Sequence, residues 1–162
     1  EKVMNVNFWG VVHMCKAFLP HLVERPEAAL LNVARMGAYA PVPGQAAYGA
    51  SKAAVTLLTE ALYAELMDTN VTCTVIFPGA IGTEITKNSG VETPGGASRD
   101  EAAATHKVTP PAEAGRVIVE AIVKGKFRDT IGSDAALMDR FSRISPRRAT
   151  ETIAKQMAEL LG

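Results

Sequence analysis

The chain has 162 residues, enough for one compact domain, and its 17 Lys and Arg balance its 17 Asp and Glu. A formal net charge of zero predicts neither a nucleic-acid partner nor attraction to an anionic membrane surface. Hydrophobic residues make up 48% of the chain and charged residues 21%, which argues against a wholly disordered chain and favours a globular domain.

The cysteines and the apolar stretches predict the compartment. Cys15 and Cys73 lie in apolar surroundings without a Cys-x-x-Cys motif or a His at ligand spacing, which is typical of buried thiols in a reducing compartment rather than of a metal site. The chain opens without a recognisable secretory signal, and polar residues interrupt its apolar stretches before the roughly 18 residues of a membrane span. We therefore expect a cytoplasmic protein with no metal and no membrane segment.

The first third of the chain predicts a helix, a strand and a second helix. Residues 1–24 carry apolar side chains around most of the helical circumference, so we expect a helix that is buried on more than one side. Residues 28–33 form a short apolar run that predicts a buried strand, and a Gly- and Pro-rich loop follows. Residues 45–67 predict a second helix, whose small residues near its start allow close packing against another backbone.

The middle of the chain predicts a second strand followed by a long segment of low hydrophobicity. Residues 71–77 are rich in β-branched and apolar side chains and stop at Pro78-Gly79, so they predict a strand. Residues 82–107 contain few large apolar side chains and many Gly, Thr, Ser and Glu, which is typical of a flexible lid or of a disordered segment. The Gly95-Gly96 pair in this segment follows no predicted strand and indicates a flexible loop rather than a phosphate-binding turn.

The last third predicts further helices around one more strand. Thr109 as N-cap and Pro110 as first helical residue predict a helix that continues to residue 124. Residues 127–131 predict a third strand, and residues 134–162 predict C-terminal helices. The last of these begins at Ser145-Pro146 and places four apolar residues on one face: Ala149, Ile153, Met157 and Leu160.

The alternation of helices and strands predicts an α/β fold with right-handed crossovers and a parallel sheet of about three strands, in a single domain over residues 1–162. A sheet of three strands leaves an edge of the buried type without a neighbour. We therefore expect that part of the sheet is missing or that a partner supplies it.

Tyr48 and Lys52 are the first candidates for chemistry, because residues four apart on a helix share one face. By itself this spacing is more typical of a packed ring beside the aliphatic stem of a lysine than of a catalytic pair. The motifs around the pair favour the catalytic interpretation.

Four motifs occur in one order along the chain: Val6-Asn7-Phe8-Trp9-Gly10, Asn32-Val33, Tyr48-Gly49-Ala50-Ser51-Lys52, and Pro78-Gly79 followed by Thr83. The NxxG, YxxxK and PGxxxT elements in series closely resemble the short-chain dehydrogenase/reductase family, and the resemblance covers nearly the whole chain. It implies the C-terminal portion of a doubly wound, Rossmann-like dinucleotide-binding fold. It also implies an oxidoreductase that uses NAD or NADP to interconvert an alcohol and a carbonyl in a small-molecule substrate.

The resemblance assigns a role to each matching residue. Tyr48 would be the catalytic acid/base, Lys52 its electrostatic helper and a ligand of the cofactor ribose, and Asn7 part of a water relay. Pro78, Gly79, Ile81 and Thr83 would hold the nicotinamide end of the cofactor. The family commonly forms homo-oligomers through a four-helix contact, which the helices over residues 1–24 and 45–67 would supply here.

Two features depart from the family pattern. The Gly-rich turn that binds the cofactor pyrophosphate would lie before residue 1, so we expect the isolated chain to need a complementary N-terminal half or to be impaired. The serine that the family places thirteen residues before the tyrosine is replaced by Arg35. Because a guanidinium donates hydrogen bonds and accepts none, Arg35 cannot imitate a hydroxyl, and we weigh a solvent-facing Arg35 equally with one that enters the substrate pocket.

Two other functions remain open at this point. The chain could be a non-catalytic remnant of the fold that dimerises through its first two helices. It could also be a cofactor-independent ester or lactone hydrolase, in which Tyr48, activated by Lys52 and Arg35, attacks the substrate and Arg35 stabilises the oxyanion.

Other side chains that often carry chemistry are expected to be structural. The histidines have no ligand partners at suitable spacing and predict surface or capping residues: His13, His21 and His106. Arg147-Arg148 predicts a solvated helical turn, and Phe8 and Trp9 predict core or interface packing.

Overall fold

The structure is a computed structural model that describes residues 1–83 and 108–161, with side chains through residue 158. Predictions that fall on residues 84–107 lie outside the described residues. These include most of the expected lid and the Gly95-Gly96 loop.

The sheet has three parallel strands in the order β1-β2-β3. The strands are β1 Ala28–Val33, β2 Val71–Pro78 and β3 Arg128–Ile131. Leu30 of β1 lies opposite Cys73 of β2, and Ile76 of β2 lies opposite Asp129 of β3. The predicted α/β class with a three-stranded parallel sheet flanked by helices is confirmed. Within the described part of the chain, β1 pairs on one side only, so it is an edge strand.

β2 is the most deeply buried element, because helices cover both faces of the sheet at its centre. Val75, Ile76 and Phe77 are all 0% exposed. Val75 and Phe77 pack into one core cluster, and Ile76 packs into another. Successive residues of a strand point to opposite faces, so the near-continuous apolar run of β2 supplies both cores.

The N-terminal helices lie on one face of the sheet. A helical turn α1 (Lys2–Met4), a π-helical segment (Asn5–Trp9) and a longer helix α2 (Gly10–Val23) follow one another without a break, and α3 spans Ala46–Glu65. Both α2 and α3 contact β1, and α3 also contacts β2.

The expectation that the first helix is buried on more than one side is wrong for this chain. Cys15 is the only buried residue of α2, whereas Val6 is 66% exposed, Met14 59% and Phe18 52%. The helix lies in an outer layer with one side against the sheet, and no described residue covers its other side.

The opposite face of the sheet is covered by α4, which spans Pro111–Val123. Ala114 and Ala121 of α4 pack with Ile76 and Ile131 in one core cluster. The helix begins one residue later than predicted, with Pro110 as N-cap, because two consecutive prolines both suit the start of a helix. It ends as expected at a glycine with a positive φ of 57°.

Two helices complete the chain beside β3. Helix α5 spans Ser133–Ile144 and contacts β3, and α6 spans Pro146–Leu161 and packs against α5. Pro146 opens the last helix as predicted, and Ala149 and Ile153 are buried on its inner face. The side chain of Leu160 lies outside the described residues.

Among residues 1–83 and 108–161, no helix combines the length and hydropathy that crossing a membrane requires. The same residues contain no group of three or more His, Cys, Asp or Glu side chains that could hold a metal ion.

Candidate active site

The predicted site residues lie at the carboxyl ends of β1 and β2. Two loops leave the sheet there: the β1 loop, residues 34–45, and the β2 loop, residues 79–83. The first half of α3 contacts the 3-10 turn Met36–Ala38 in the β1 loop. In parallel α/β sheets, ligands bind at the carboxyl ends of the strands.

Tyr48 and Lys52 are both half-buried on the first half of α3. The Lys52 ammonium donates a hydrogen bond of 3.1 Å to the backbone carbonyl of Val33, the last residue of β1. Burial lowers the pKa of Lys52, and the nearby guanidinium of Arg35 lowers it further. The lysine is therefore fixed at the end of β1, and its environment eases the loss of its proton.

Gly49 allows α3 to approach the β1 loop closely. A Cβ at Gly49 would lie 3.0 Å from the backbone oxygen of Gly37, tighter than nearly all real contacts of this kind. The expected close packing of the small residues at the start of α3 is thus found at this position. It brings Tyr48, the residue before Gly49, next to the backbone that follows β1.

Asn7 is connected to α3 by a hydrogen bond to Ser51, a residue for which the sequence predicted no role. The Asn7 amide donates to Ser51 Oγ at 3.2 Å, and Ser51 Oγ donates to the Tyr48 backbone carbonyl at 2.6 Å. Ser51 is 0% exposed. The structure therefore brings Asn7, Tyr48 and Lys52 together around α3. The available signal was the position of Ser51 inside the Tyr48–Lys52 motif, one helical turn from Tyr48.

Asn7 lies in the π-helical segment, and from there its side chain contacts Ser51. A π-helical turn holds an extra residue and so rotates the side chains that follow it relative to an α-helix; such segments occur frequently at functional sites. Asn7 is the central residue of Asn5–Trp9 and is half-buried, whereas the adjacent Val6 is exposed.

Arg35 is exposed and extended, with a φ of −172° and a ψ of 161°. Its backbone carbonyl accepts a hydrogen bond from Ala38 N at 2.9 Å, which closes the 3-10 turn. The side chain is exposed to solvent and still close enough to lower the pKa of Lys52. Arg35 is thus exposed to solvent and also close to Lys52, so neither of the two alternatives weighed from the sequence describes it fully.

The β2 loop is fixed by its backbone. Gly79 N donates to the Ile131 carbonyl at 2.8 Å, and Thr83 N donates to the Ile81 carbonyl at 2.9 Å. Ile81 forms an isolated parallel bridge with Thr109, in which Gly82 N donates to the Thr109 carbonyl and Thr109 N donates to the Ala80 carbonyl. No acceptor within residues 1–83 or 108–158 takes the Ile81 N–H.

Two further residues shape the site and were missed. Asp134 at the start of α5 accepts a hydrogen bond from Ala80 N at 2.8 Å. The Tyr39 hydroxyl donates to the Ala135 carbonyl at 2.9 Å, and its ring lies 5.2 Å from that of Phe77. Burial raises the pKa of Tyr39 above its ordinary value, as does the carboxylate of Asp139. Both residues act across long sequence separations, which no local pattern reveals.

Most of the other candidates that the structure describes are exposed. His13 and His21 are exposed, in keeping with surface residues, and His106 lies outside the described residues. Arg147 forms an exposed ion pair with Glu151. Trp9 is 49% exposed, and its ring packs edge-on against Phe8 with centroids 5.2 Å apart.

Comparisons with known proteins identify the family of this chain. The family model for short chain dehydrogenases matches residues 1–93. SadH of Mycobacterium tuberculosis, which is named as an oxidoreductase, is 33% identical over 168 residues, covering 98% of this chain and 59% of SadH. EphD of Mycobacterium bovis, also named as an oxidoreductase, is 43% identical over 96 residues, covering 59% of this chain and 16% of EphD.

Solved structures show the same fold. A short chain dehydrogenase from Burkholderia cenocepacia, in complex with NADP, has a TM-score of 0.75 and 27% identity, over 93% of this chain and 56% of that one. A relative from Burkholderia phymatum, in complex with NAD, has a TM-score of 0.64 and 26% identity, over 78% of this chain and 51% of that one. The chain thus spans little more than half the length of SadH and of these two structures. With the family model matching more than half of its residues, the chain belongs to the short-chain dehydrogenase family.

Proposed function

We propose that this chain forms the catalytic and nicotinamide-binding portion of an NAD(P)-dependent oxidoreductase that interconverts an alcohol and a carbonyl. One observation carries the proposal: Asn7 is hydrogen-bonded to Ser51 within the Tyr48–Lys52 motif, and Lys52 is hydrogen-bonded to the carboxyl end of β1. The NADP and NAD complexes of the two Burkholderia relatives support the choice of cofactor.

Tyr48 is the proposed acid/base. An unperturbed phenol has a pKa of about 10 and exchanges protons poorly at neutral pH, but a nearby cation favours its anion. Lys52 lies one helical turn from Tyr48 and is held by its hydrogen bond to the Val33 carbonyl. It is therefore placed to supply this cation and to bind a ribose hydroxyl of the cofactor. A positioned acid of this kind contributes about 10²- to 10⁴-fold to the rate.

Asn7 is the proposed relay residue. Its amide nitrogen is held by Ser51, and its carbonyl oxygen accepts no hydrogen bond from the described residues. This oxygen can therefore orient a water that passes protons to Lys52. The role of the missing serine is not filled, because the Ser51 hydroxyl already serves the Tyr48 carbonyl and Asn7, and Arg35 offers donors only.

The β2 loop is the proposed holder of the nicotinamide end. Ile81 N–H would donate to the carboxamide, while Pro78 and Gly79 shape the wall and Thr83 offers a hydroxyl. A bound nicotinamide supplies the hydride chemistry. Neither the ester or lactone hydrolase nor the non-catalytic remnant is favoured by a contact among the described residues.

The proposal is tested by titrating NADPH into the chain, alone and mixed with an N-terminal half from a family member, and by following carbonyl-dependent NADPH oxidation. We expect binding in at least one mixture. The Tyr48→Phe variant should keep cofactor binding and lose about 100-fold or more of the turnover. Absence of NADPH binding in both mixtures, or full turnover by Tyr48→Phe, would contradict the proposal.

We also propose that the chain self-associates through the outer faces of the helices over residues 1–24 and 45–67. Val6, Met14 and Phe18 are more than half exposed on the first helix, and Leu57 is 70% exposed on the second. Exposed apolar side chains in such number on adjacent helices are typical of an interface. Sedimentation that shows a stable monomer at micromolar concentration would contradict this proposal.

A further inference from the structure

The start of α5 is joined to the β2 loop by a carboxylate. Asp134, the second residue of α5, accepts a hydrogen bond from Ala80 N through Oδ2 at 2.8 Å. The neighbouring Gly79 N donates to the Ile131 carbonyl at the end of β3, also at 2.8 Å. Two successive amides of the β2 loop are therefore held by the segment that connects β3 to α5.

Shape as well as hydrogen bonding fixes this carboxylate. A Cβ at Gly79 or at Gly132 would lie less than 3.0 Å from Asp134, a distance that real Cβ atoms essentially never show. Gly132 also has a φ of 96°, which side chains rarely adopt. Glycine on both sides thus lets the backbone close around the Asp134 carboxylate.

The second carboxylate oxygen of Asp134 is not hydrogen-bonded to any described residue. Asp134 Oδ1 is buried and has no hydrogen-bond partner among the described residues. An unpaired buried carboxylate oxygen is destabilising, which offsets the stabilisation from the bond to Ala80. Asp134 should therefore affect the conformation of the β2 loop more than the stability of the fold.

The same helical turn holds the β1 loop. The Ala135 carbonyl, one residue further along α5, accepts the hydrogen bond of Tyr39. The first turn of α5 thus contacts both the β1 loop and the β2 loop.

We infer that Asp134 is a positioning residue for the nicotinamide site: it holds Ala80 N–H while Thr109 N–H holds the Ala80 carbonyl, and the two bonds together fix the peptide group that carries Ile81 N–H. The inference rests on the proposed function, because it assigns Ile81 N–H to the nicotinamide carboxamide. Asp134 itself touches no reacting atom.

The test uses the ¹⁵N-labelled chain, under the conditions in which it binds NADPH, and compares Asp134→Ala with Asp139→Ala. Asp139 is an acidic residue of the same helix that pairs with Arg128 and Arg143 and does not contact the β2 loop, so it is a matched control. In Asp134→Ala we expect hydrogen exchange at Ala80 N–H to accelerate about tenfold or more, and the NADPH-induced shift of Ile81 N–H to fall by at least half. The urea midpoint should change less in Asp134→Ala than in Asp139→Ala.

Each outcome has a distinct meaning. No NADPH response in the wild type contradicts the proposed function, and the inference with it. A wild-type response that Asp134→Ala reproduces in full overturns the inference and leaves the proposed function standing. If Asp134→Ala does not fold, Asp134→Asn replaces it: its neutral amide oxygen is a weaker acceptor, so exchange at Ala80 should accelerate a few-fold, and unchanged exchange overturns the inference.

Discussion

The hydrogen bond between Asn7 and Ser51 should couple the π-helical segment energetically to α3. In Ser51→Ala the Tyr48 carbonyl keeps its intrahelical hydrogen bond, so the main loss is the partner of the Asn7 amide, at 3.2 Å. Asn7 is half-buried and water can reach it, which places the cost near the lower end of the range for an unmade hydrogen bond, about 1 kcal/mol. The coupling free energy between the two side chains should be about 0.5–1.5 kcal/mol.

A double-mutant cycle measures this coupling. Urea unfolding of the wild type, Asn7→Ala, Ser51→Ala and the double variant, followed by circular dichroism, gives the four free energies of unfolding. Thr56 is the matched control, because its hydroxyl donates to the Lys52 carbonyl at 2.9 Å on the same helix without contacting Asn7. A cycle between Asn7 and Ser51 that gives no more coupling than the cycle between Asn7 and Thr56 would refute the reasoning.

Three further predictions follow from the site and its packing. Arg35→Ser should raise the pKa of Lys52, because a neighbouring cation is removed, and should move the alkaline limit of NADPH-dependent carbonyl reduction to higher pH. Lys52 in the folded chain has a pKa below its ordinary value of 10.5, so the free energy of unfolding should rise with pH between the folded-state pKa and 10.5. Arg35→Ser should narrow this pH range, because it raises the folded-state pKa of Lys52. Gly49→Ala should lower the free energy of unfolding by about 1–3 kcal/mol through its clash with the 3-10 turn. Gly115→Ala, on α4 with open space around it, should raise it by about 0.5–1 kcal/mol. Cys73 is buried and burial raises the pKa of its thiol to about 11, so it should resist a disulfide reagent at pH 8 until urea unfolds the chain.

Each of these three predictions has a result that would contradict it. An alkaline limit that does not move in Arg35→Ser excludes Lys52 as the group that titrates there. Equal urea midpoints for the two glycine variants would show that α3 does not pack closely on the β1 loop. Labelling of Cys73 in the folded chain within minutes would contradict its burial.

The sequence was enough to predict the fold class, because that rests on hydrophobic periodicity and on helix and strand boundaries within single segments. The strand over residues 28–33 was predicted to the residue, and the helix that begins at Pro146 was predicted from Ser145-Pro146 and the apolar face that follows. Periodicity does not show what covers each side of a helix, so the exposed side of α2 was predicted to be buried. Nor does it reveal the π-helical segment, because one extra residue in a turn leaves the apolar pattern almost unchanged.

The candidate site was predicted in part. Tyr48 and Lys52 could be placed on one helical face from their spacing alone, and the structure adds Asn7 beside them through Ser51. The contacts of Tyr39 and Asp134 span more than 50 residues of sequence, and only the folding of α5 beside the β2 loop brings them together. The assignment of Pro78, Gly79, Ile81 and Thr83 to the cofactor stays a prediction.

The side of β1 on which no described strand pairs bears on how the protein behaves in concentrated solution. Its outward backbone amides and carbonyls form a template on which any extended peptide can add a strand, and two of its residues, Ala29 and Val33, are also exposed. A second molecule can use that template as readily as a native neighbour can. Crowding of this chain during expression thus favours strand-to-strand aggregates, and supplying a short extended peptide to occupy the row offers a physical means of keeping it dispersed.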